Sequence, residues 1–168
     1  MNRQIFRATG LIAILAAFLL IAGCAGVQAA GDGDTVKVHY TGTLSDGSIF
    51  DSSLERDPLE FTIGSQQVIS GFEDAVRGMS VGEKQTVTIP YTNAYGPYYE
   101  DMVIPINRDL FAEDDVPEVG YTISFSTEDG RMAQGHITSV NETIVIIDMN
   151  HPLAGEELTF EITLVEIV

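Results

Sequence analysis

Val38-His39-Tyr40-Thr41-Gly42-Thr43-Leu44-Ser45-Asp46-Gly47-Ser48-Ile49-Phe50-Asp51 is the stretch from which the fold is read. Val36, Val38 and Tyr40 alternate with Lys37 and His39, the period-two pattern of a half-buried strand. Asp46-Gly47 follows, and a glycine there enters the left-handed region without steric cost, so the dipeptide reads as a tight turn. With Ile49-Phe50 beyond it, the segment is a β-hairpin.

Working outward, Leu59, Phe61 and Ile63 alternate again and stop at Gly64. From Gly71 to Gly78, Phe72, Ala75 and Val76 fall at i, i+3 and i+4, with acids early and a glycine stop, which predicts a short amphipathic helix. Val87 and Ile89 mark another strand after the Val81-Gly82-Glu83 turn, and Ala94-Tyr95-Gly96-Pro97 is a loop. The character then changes. Residues 101–115 are acidic and read as irregular, with Pro105 and Pro117 breaking any long helix. Tyr121-Ile123-Phe125, Ala133-Gly135-Ile137 and Ile144-Ile146 read as strands joined by turns. Leu158, Phe160, Ile162 and Leu164 form a last alternating strand. A β-rich middle of different character suggests an insertion, with the last strand returning to the first sheet, since a sequential arrangement leaves that strand without a partner. The expected class is α+β: an antiparallel sheet wrapped on a short helix, carrying a small β-rich insert.

Residues 1–30 contain no acid, and Arg3 and Arg7 precede an uncharged, largely aliphatic run, the pattern of an export signal. Three endings compete. Ile21-Ala22-Gly23-Cys24 resembles a lipoprotein cleavage box that leaves Cys24 lipidated; Val27-Gln28-Ala29 suits ordinary cleavage and release; and the run is long enough to stay as a membrane anchor. All three put the domain outside the cytoplasm. The 168-residue chain carries −17, and losing Arg3 and Arg7 with no acid takes the exported part to −19, with Lys37 and Lys84 its only lysines. Phosphate neutralisation needs basic residues, so nucleic-acid binding is set aside, as is adhesion to anionic lipid through a basic patch. The acid excess reads equally as adaptation to high salt or as plain solubility beside a membrane. A single cysteine allows neither an intramolecular disulfide nor a cysteine-cluster zinc site.

Catalytic constellations are missing. There is no G-x-S-x-G elbow, no phosphate-cradling glycine loop and no metal-ligand spacing of histidines; His39, His136 and His151 are scattered. What stands out is apolar: Tyr40, Phe50, Phe61, Val68-Ile69, Phe72, Tyr95 and Phe160, which taken alone read first as core. Asp51 beside Phe50 is the odd element, because a carboxylate next to a core aromatic is costly unless partnered.

The order of these residues resembles the FKBP-type peptidyl-prolyl isomerases. The match runs through Val38-His39-Tyr40-Thr41-Gly42-Thr43-Leu44, Asp46-Gly47, Phe50-Asp51-Ser52-Ser53, Val68-Ile69-Ser70-Gly71-Phe72-Glu73, Met79-Ser80-Val81-Gly82-Glu83, Ala94-Tyr95-Gly96 and Leu158-Thr159-Phe160-Glu161-Ile162. It covers residues 32–97 and 151–168, with residues 1–30 as the export segment. In the SlyD-like branch the loop after Ala-Tyr-Gly is replaced by a small β chaperone unit, the insert-in-flap domain; residues 98–150 fill that place, and Asn150-His151-Pro152-Leu153-Ala154-Gly155 resembles the return. The resemblance implies that Tyr40, Phe50, Val68, Ile69, Phe72 and Phe160 line a proline pocket. Phe72 takes the floor where many members have Trp, Leu59 stands where others often have an aromatic, and Leu153 and Ala154 form an edge. Asp51 and Tyr95 would offer polar contacts to the substrate backbone. Phe61 and Val38 are assigned to core. The branch's metal-binding tail is missing, so no metal is carried over, and we read the chain as a monomer without cofactor.

The expected function is prolyl isomerisation in exported proteins, with proline-containing peptides and unfolded chains as partners and the insert binding unfolded segments through apolar edges such as Ile104, Leu110 and Phe111. The alternatives are a non-catalytic chaperone or binding module on the same fold, and a salt-adapted structural lipoprotein.

Overall fold

The computed structural model describes residues 28–111, 117–126, 130 and 132–168. Residues 1–27, with Cys24, and residues 112–116 lie outside the described residues. The last residues of the stretch read as an export signal are described and belong to the folded unit: Ala29 bridges Ser80, and Ala30 is buried in the first core. Among those described, no helix is long and apolar enough to cross a membrane.

The quoted hairpin forms as read. β1 (Thr35–Thr43) turns into β2 (Ile49–Ser52), with the Gly47 amide donating to the Leu44 carbonyl and Gly47 at φ +84°. Asp46 Oδ1 accepts from the Ser48 amide at 2.8 Å, closing the turn locally. β3 (Leu59–Thr62) pairs antiparallel with the start of β1. α1 (Ser70–Val76) buries Phe72, Ala75 and Val76, the three positions that its sequence spacing put on one face. β4 (Lys84–Ile89) follows.

The last strand, β9 (Leu158–Ile167), lies between β1 and β4, giving the order β2-β1-β9-β4 with β3 also on β1. Its partners are therefore strands of the first sheet. Alternation decides what is buried: Leu158, Phe160, Ile162 and Leu164 face in with Val36 and Val38 of β1, and α1 lies across them with Phe61, Ile63 and Ile89 completing the core.

A second sheet occupies the middle of the chain. β5 (Val103–Asn107), β6 (Thr122–Ser126), β7 (Met132–Val140) and β8 (Ile144–Asp148) form the order β5-β8-β7-β6. Val103–Asn107 corrects the irregular reading of residues 101–115. Pro105 sits in register with Ile146 on an edge strand, where its missing N–H takes nothing from the ladder. Ile137, Val145 and Ile147 make a small separate core. Ile104, Ile123, Phe125 and Phe111 are half-buried against it rather than exposed, whereas Leu110 and Tyr121 are exposed.

The chain leaves and re-enters the first sheet through two neighbouring segments, residues 96–102 and 149–155. Asn150, buried, ties them: its Oδ1 accepts from the Tyr99 amide and its Nδ2 donates to the Tyr99 carbonyl, both at 2.9 Å. Met149 N to Met102 O at 3.0 Å and Gly155 N to Gly96 O at 2.8 Å extend the tie.

Candidate functional site

The concave face of the first sheet ends in a cleft of about 170 Å³ between α1, the mouth of the hairpin and the loop after β4. Its walls are Tyr40, Phe50, Asp51, Leu59, Gln67, Val68, Ile69, Phe72, Tyr95 and Phe160. These residues come from seven separate places in the sequence, and the sheet register brings them together. Gly42 of β1 stands opposite Phe160 of β9 and Asp51 of β2. Having no side chain, Gly42 leaves room for two rings: a Cβ there would meet Phe50 Cζ at 2.6 Å and Phe160 Cε1 at 3.0 Å. Phe50 and Phe160 meet edge to face at 5.6 Å, and Phe160 and Phe72 at 5.2 Å. Tyr40 closes the ring cluster with its edge on Phe72 at 5.6 Å. Phe72 is buried and lines the bottom of the cleft, backed by Phe61 at 5.9 Å. Edge-to-face packing satisfies the ring quadrupoles and fixes the shape of the cavity.

The polar side of the cleft is built around Asp51. Its carboxylate accepts from the Tyr40 hydroxyl, the Arg56 guanidinium and, at 2.9 Å, the Ser52 amide. Burial works against its charge, but the Tyr40 hydroxyl, the Arg56 charge and the Ser52 amide outweigh it and hold the carboxyl below its ordinary value. The Tyr40 phenol is pushed up to about 12, first by burial and then by its bond to the carboxylate. At neutral pH the pair is thus an ionised acceptor and a protonated donor. The cost anticipated for a carboxylate beside Phe50 is met by these partners.

The loop that carries Val68 and Ile69 is held from below. Glu73 of α1 is buried, and its two carboxylate oxygens accept from the Gly64 amide at 3.0 Å and the Gln66 amide at 2.9 Å. Gln66 adopts φ +59°, uncommon for a residue with a side chain, and the Glu73 bond to its amide stabilises that turn. Gln67 folds back, accepting from the Thr62 amide and the Ser65 hydroxyl at 2.9 Å.

Of the residues singled out in the sequence, Tyr40, Phe50, Asp51, Leu59, Val68, Ile69, Phe72, Tyr95 and Phe160 meet in this one cleft. Val38 and Phe61 are core. Leu153 packs half-buried against the first sheet's core and does not line the cleft, and Ala154 lines a neighbouring hollow with Tyr98, His136 and Asp148. The return segment instead reaches the site through His151, which stacks on Tyr95. Sequence reasoning passed over Arg56, Gln67, Glu73 and the space-making role of Gly42. Arg56 alone left a signal: one of few cations, five residues beyond the carboxylate singled out beside Phe50. Among the described residues no group of three His, Cys, Asp or Glu side chains is placed to hold a metal.

Residues 26–165 match the family of FKBP-type peptidyl-prolyl cis-trans isomerases. A short-type peptidyl-prolyl cis-trans isomerase of Methanocaldococcus jannaschii is 39% identical over 145 residues, 77% of this chain and 88% of that protein. The SlyD isomerase of Escherichia coli K12 is 35% identical over 132 residues, 79% of this chain and 67% of that protein. FK506-binding protein 2 of Yarrowia lipolytica is 52% identical over 84 residues, 49% of this chain and 58% of that protein, so the chain spans under two thirds of this last relative. With the match running through both sheets and the aromatic cleft, the chain belongs to the FKBP-type peptidyl-prolyl cis-trans isomerases and is SlyD-like among them.

Proposed function

We propose that this chain isomerises Xaa-Pro bonds in exported polypeptides, with the aromatic cleft as its active site and the second sheet as an insert-in-flap unit that captures unfolded segments. The observation that carries the reading is the cleft itself: four aromatic rings packed edge to face around a space of about 170 Å³, with one ionised carboxylate fixed in its wall.

Rotation about a peptide bond crosses a barrier of roughly 18–20 kcal/mol, because resonance must be broken. The twisted amide carries less charge on oxygen than the planar one, so it loses less on leaving water. A dry aromatic cavity therefore favours the transition state over the ground state without forming any covalent bond. The proline ring enters between Phe50, Phe72 and Phe160. Tyr95, exposed at the rim, turns its hydroxyl to a substrate carbonyl. Asp51 has no proton to give at neutral pH; it fixes the Tyr40 ring and keeps Arg56 beside the entrance. Unfolded segments are met first by the second sheet, where Leu110 and Tyr121 stand exposed, through strand addition or apolar contact. A lipid on Cys24 or a retained N-terminal anchor holds this machinery at the outer face of the membrane.

The test is cis-to-trans isomerisation of a short Xaa-Pro peptide by the full chain at low and at molar salt, beside a Phe50→Ala/Tyr95→Ala double variant. The rate constant should rise in proportion to protein concentration, and the variant should lose roughly tenfold or more. No acceleration from a folded chain at either salt would move the assignment to a non-catalytic chaperone. Replacing Cys24 by Ala and following incorporation of labelled fatty acid tests the anchor: persistent labelling in the variant would exclude lipid at that position.

A further inference from the structure

His151 belongs to the return segment and takes no part in the function proposed above. Its ring lies flat on Tyr95, with centroids 3.8 Å apart and planes 5° from parallel. Its Nδ1 is 3.1 Å from the Leu153 amide nitrogen. A backbone amide only donates, so Nδ1 carries a lone pair and the single ring proton sits on Nε2. The ring is therefore neutral as it stands. Desolvation of its covered face, followed by the nearby His136, holds it below the ordinary histidine value of 6.5. The titratable groups around it come from every element packed there: Tyr95 from the loop after β4, Tyr98 from the outgoing segment, His136 from β7, Asp148 from the end of β8 and Glu156 from the return. Asp148 accepts from the Tyr98 hydroxyl at 2.9 Å and from Asn150 at 2.8 Å.

We propose that His151 is a positioning residue for prolyl isomerisation: in its neutral form it holds the Tyr95 ring at the rim of the cleft, and on protonation the stacked pair moves away from that place. The Leu153 amide is decisive. Protonated Nδ1 is a donor facing a donor, so the bond that anchors the imidazole is lost. The stack itself survives, because a cation is attracted to the face of a phenol. The pair then shifts together, and Tyr95 leaves the place from which it meets the substrate. The effect falls on binding, in KM, more than on the rotation step, in kcat.

The inference rests on the isomerase reading. Its test is the steady-state kinetics of the full chain on a short Xaa-Pro peptide between about pH 5.5 and 8, with His151→Phe and His151→Ala alongside and the ring resonances of 13C-labelled Tyr95 as a second readout. The parent should lose roughly three- to tenfold in kcat/KM towards the acid end, carried by KM, with the Tyr95 resonances moving at the same midpoint. His151→Phe keeps a flat ring face without a titrating nitrogen and should give a flat profile and static Tyr95 resonances. His151→Ala should show the acid-form KM at every pH. An active parent whose pH profile is reproduced by His151→Phe overturns the inference alone, as does a His151→Ala variant that matches the parent at the alkaline end. A parent that accelerates nothing at any pH overturns the isomerase reading and this inference together.

Discussion

A methyl group at position 42 has nowhere to go. It would overlap Phe50 Cζ and press on Phe160, two rings that are themselves locked edge to face. Gly42→Ala should cost about 1–3 kcal/mol of stability, the usual range for overpacking, and lower kcat/KM by displacing Phe50 into the cleft. Denaturant unfolding and peptide kinetics on the same sample check both halves. Asp51 gives a pH prediction. Its folded value lies below its ordinary 3.8, so the stability it contributes is complete above that value and is lost as pH falls through the folded one. Arg56→Gln removes one of the interactions that depress it, so the acid limb of the unfolding curve should move to higher pH. A limb that stays in place would show that Tyr40 and the Ser52 amide suffice. Of the two, the Gly42 contacts were the ones not readable beforehand. Gly42 is marked in sequence only as a small residue in a strand, and its neighbours Phe50 and Phe160 lie eight and 118 positions away. Only the register that sets Gly42 opposite Phe160 shows what the missing side chain is for.

Among the elements, what was legible followed periodicity. The strand alternation in β1, β3 and β9 and the helical spacing of Phe72, Ala75 and Val76 each report one buried face, and burial is what a pattern of apolar residues records. β5 was missed because Pro105 and the acids around it lower any strand expectation, while its single pairing with β8 tolerates both. The loop of residues 64–69 was opaque for another reason. Its shape depends on Glu73, an ordinary-looking acid early in a helix, turning both oxygens inward to two loop amides. Glu73→Ala removes the acceptor of two amides on exposed loop residues and should cost about 1 kcal/mol, with a raised KM as Val68 and Ile69 loosen. Thermal unfolding with KM measurement tests it; an unaltered KM would mean the loop holds its shape unaided. At the level of the second sheet, deleting residues 103–148 should spare turnover of short peptides and sharply reduce acceleration of proline-limited protein refolding. Equal loss on both substrates would remove the insert from the mechanism.

Across the whole molecule the charge is one-sided. Among the described residues, Lys37 pairs with Glu60 and Glu166, Lys84 with Glu161, Arg77 with Asp32 and Asp74, and Arg56 with Asp51. Against 25 acids these few cations leave most carboxylates facing like charge. Screening shortens from about 10 Å at 0.1 M salt to about 3 Å at 1 M, so added salt should relieve self-repulsion faster than it weakens four exposed cation clusters. The melting temperature should therefore rise between 0.1 and 1 M salt, measured with a weakly interacting salt; a fall would assign the surface pairs more weight than the net charge.

The position of β9 sets an order of events for a chain made from its N-terminus. β1 and β4 must wait for a strand that arrives after the whole second sheet, so the Thr43 hydroxyl finds the Thr159 carbonyl across 116 residues. The strands of the second sheet, by contrast, are contiguous and can close as soon as residue 148 has emerged. Once closed, they shorten the effective loop that β9 has to bridge, and loop closure grows costlier only as the logarithm of length. The second sheet is thus the part able to assemble first, and the aromatic cleft is the part finished last.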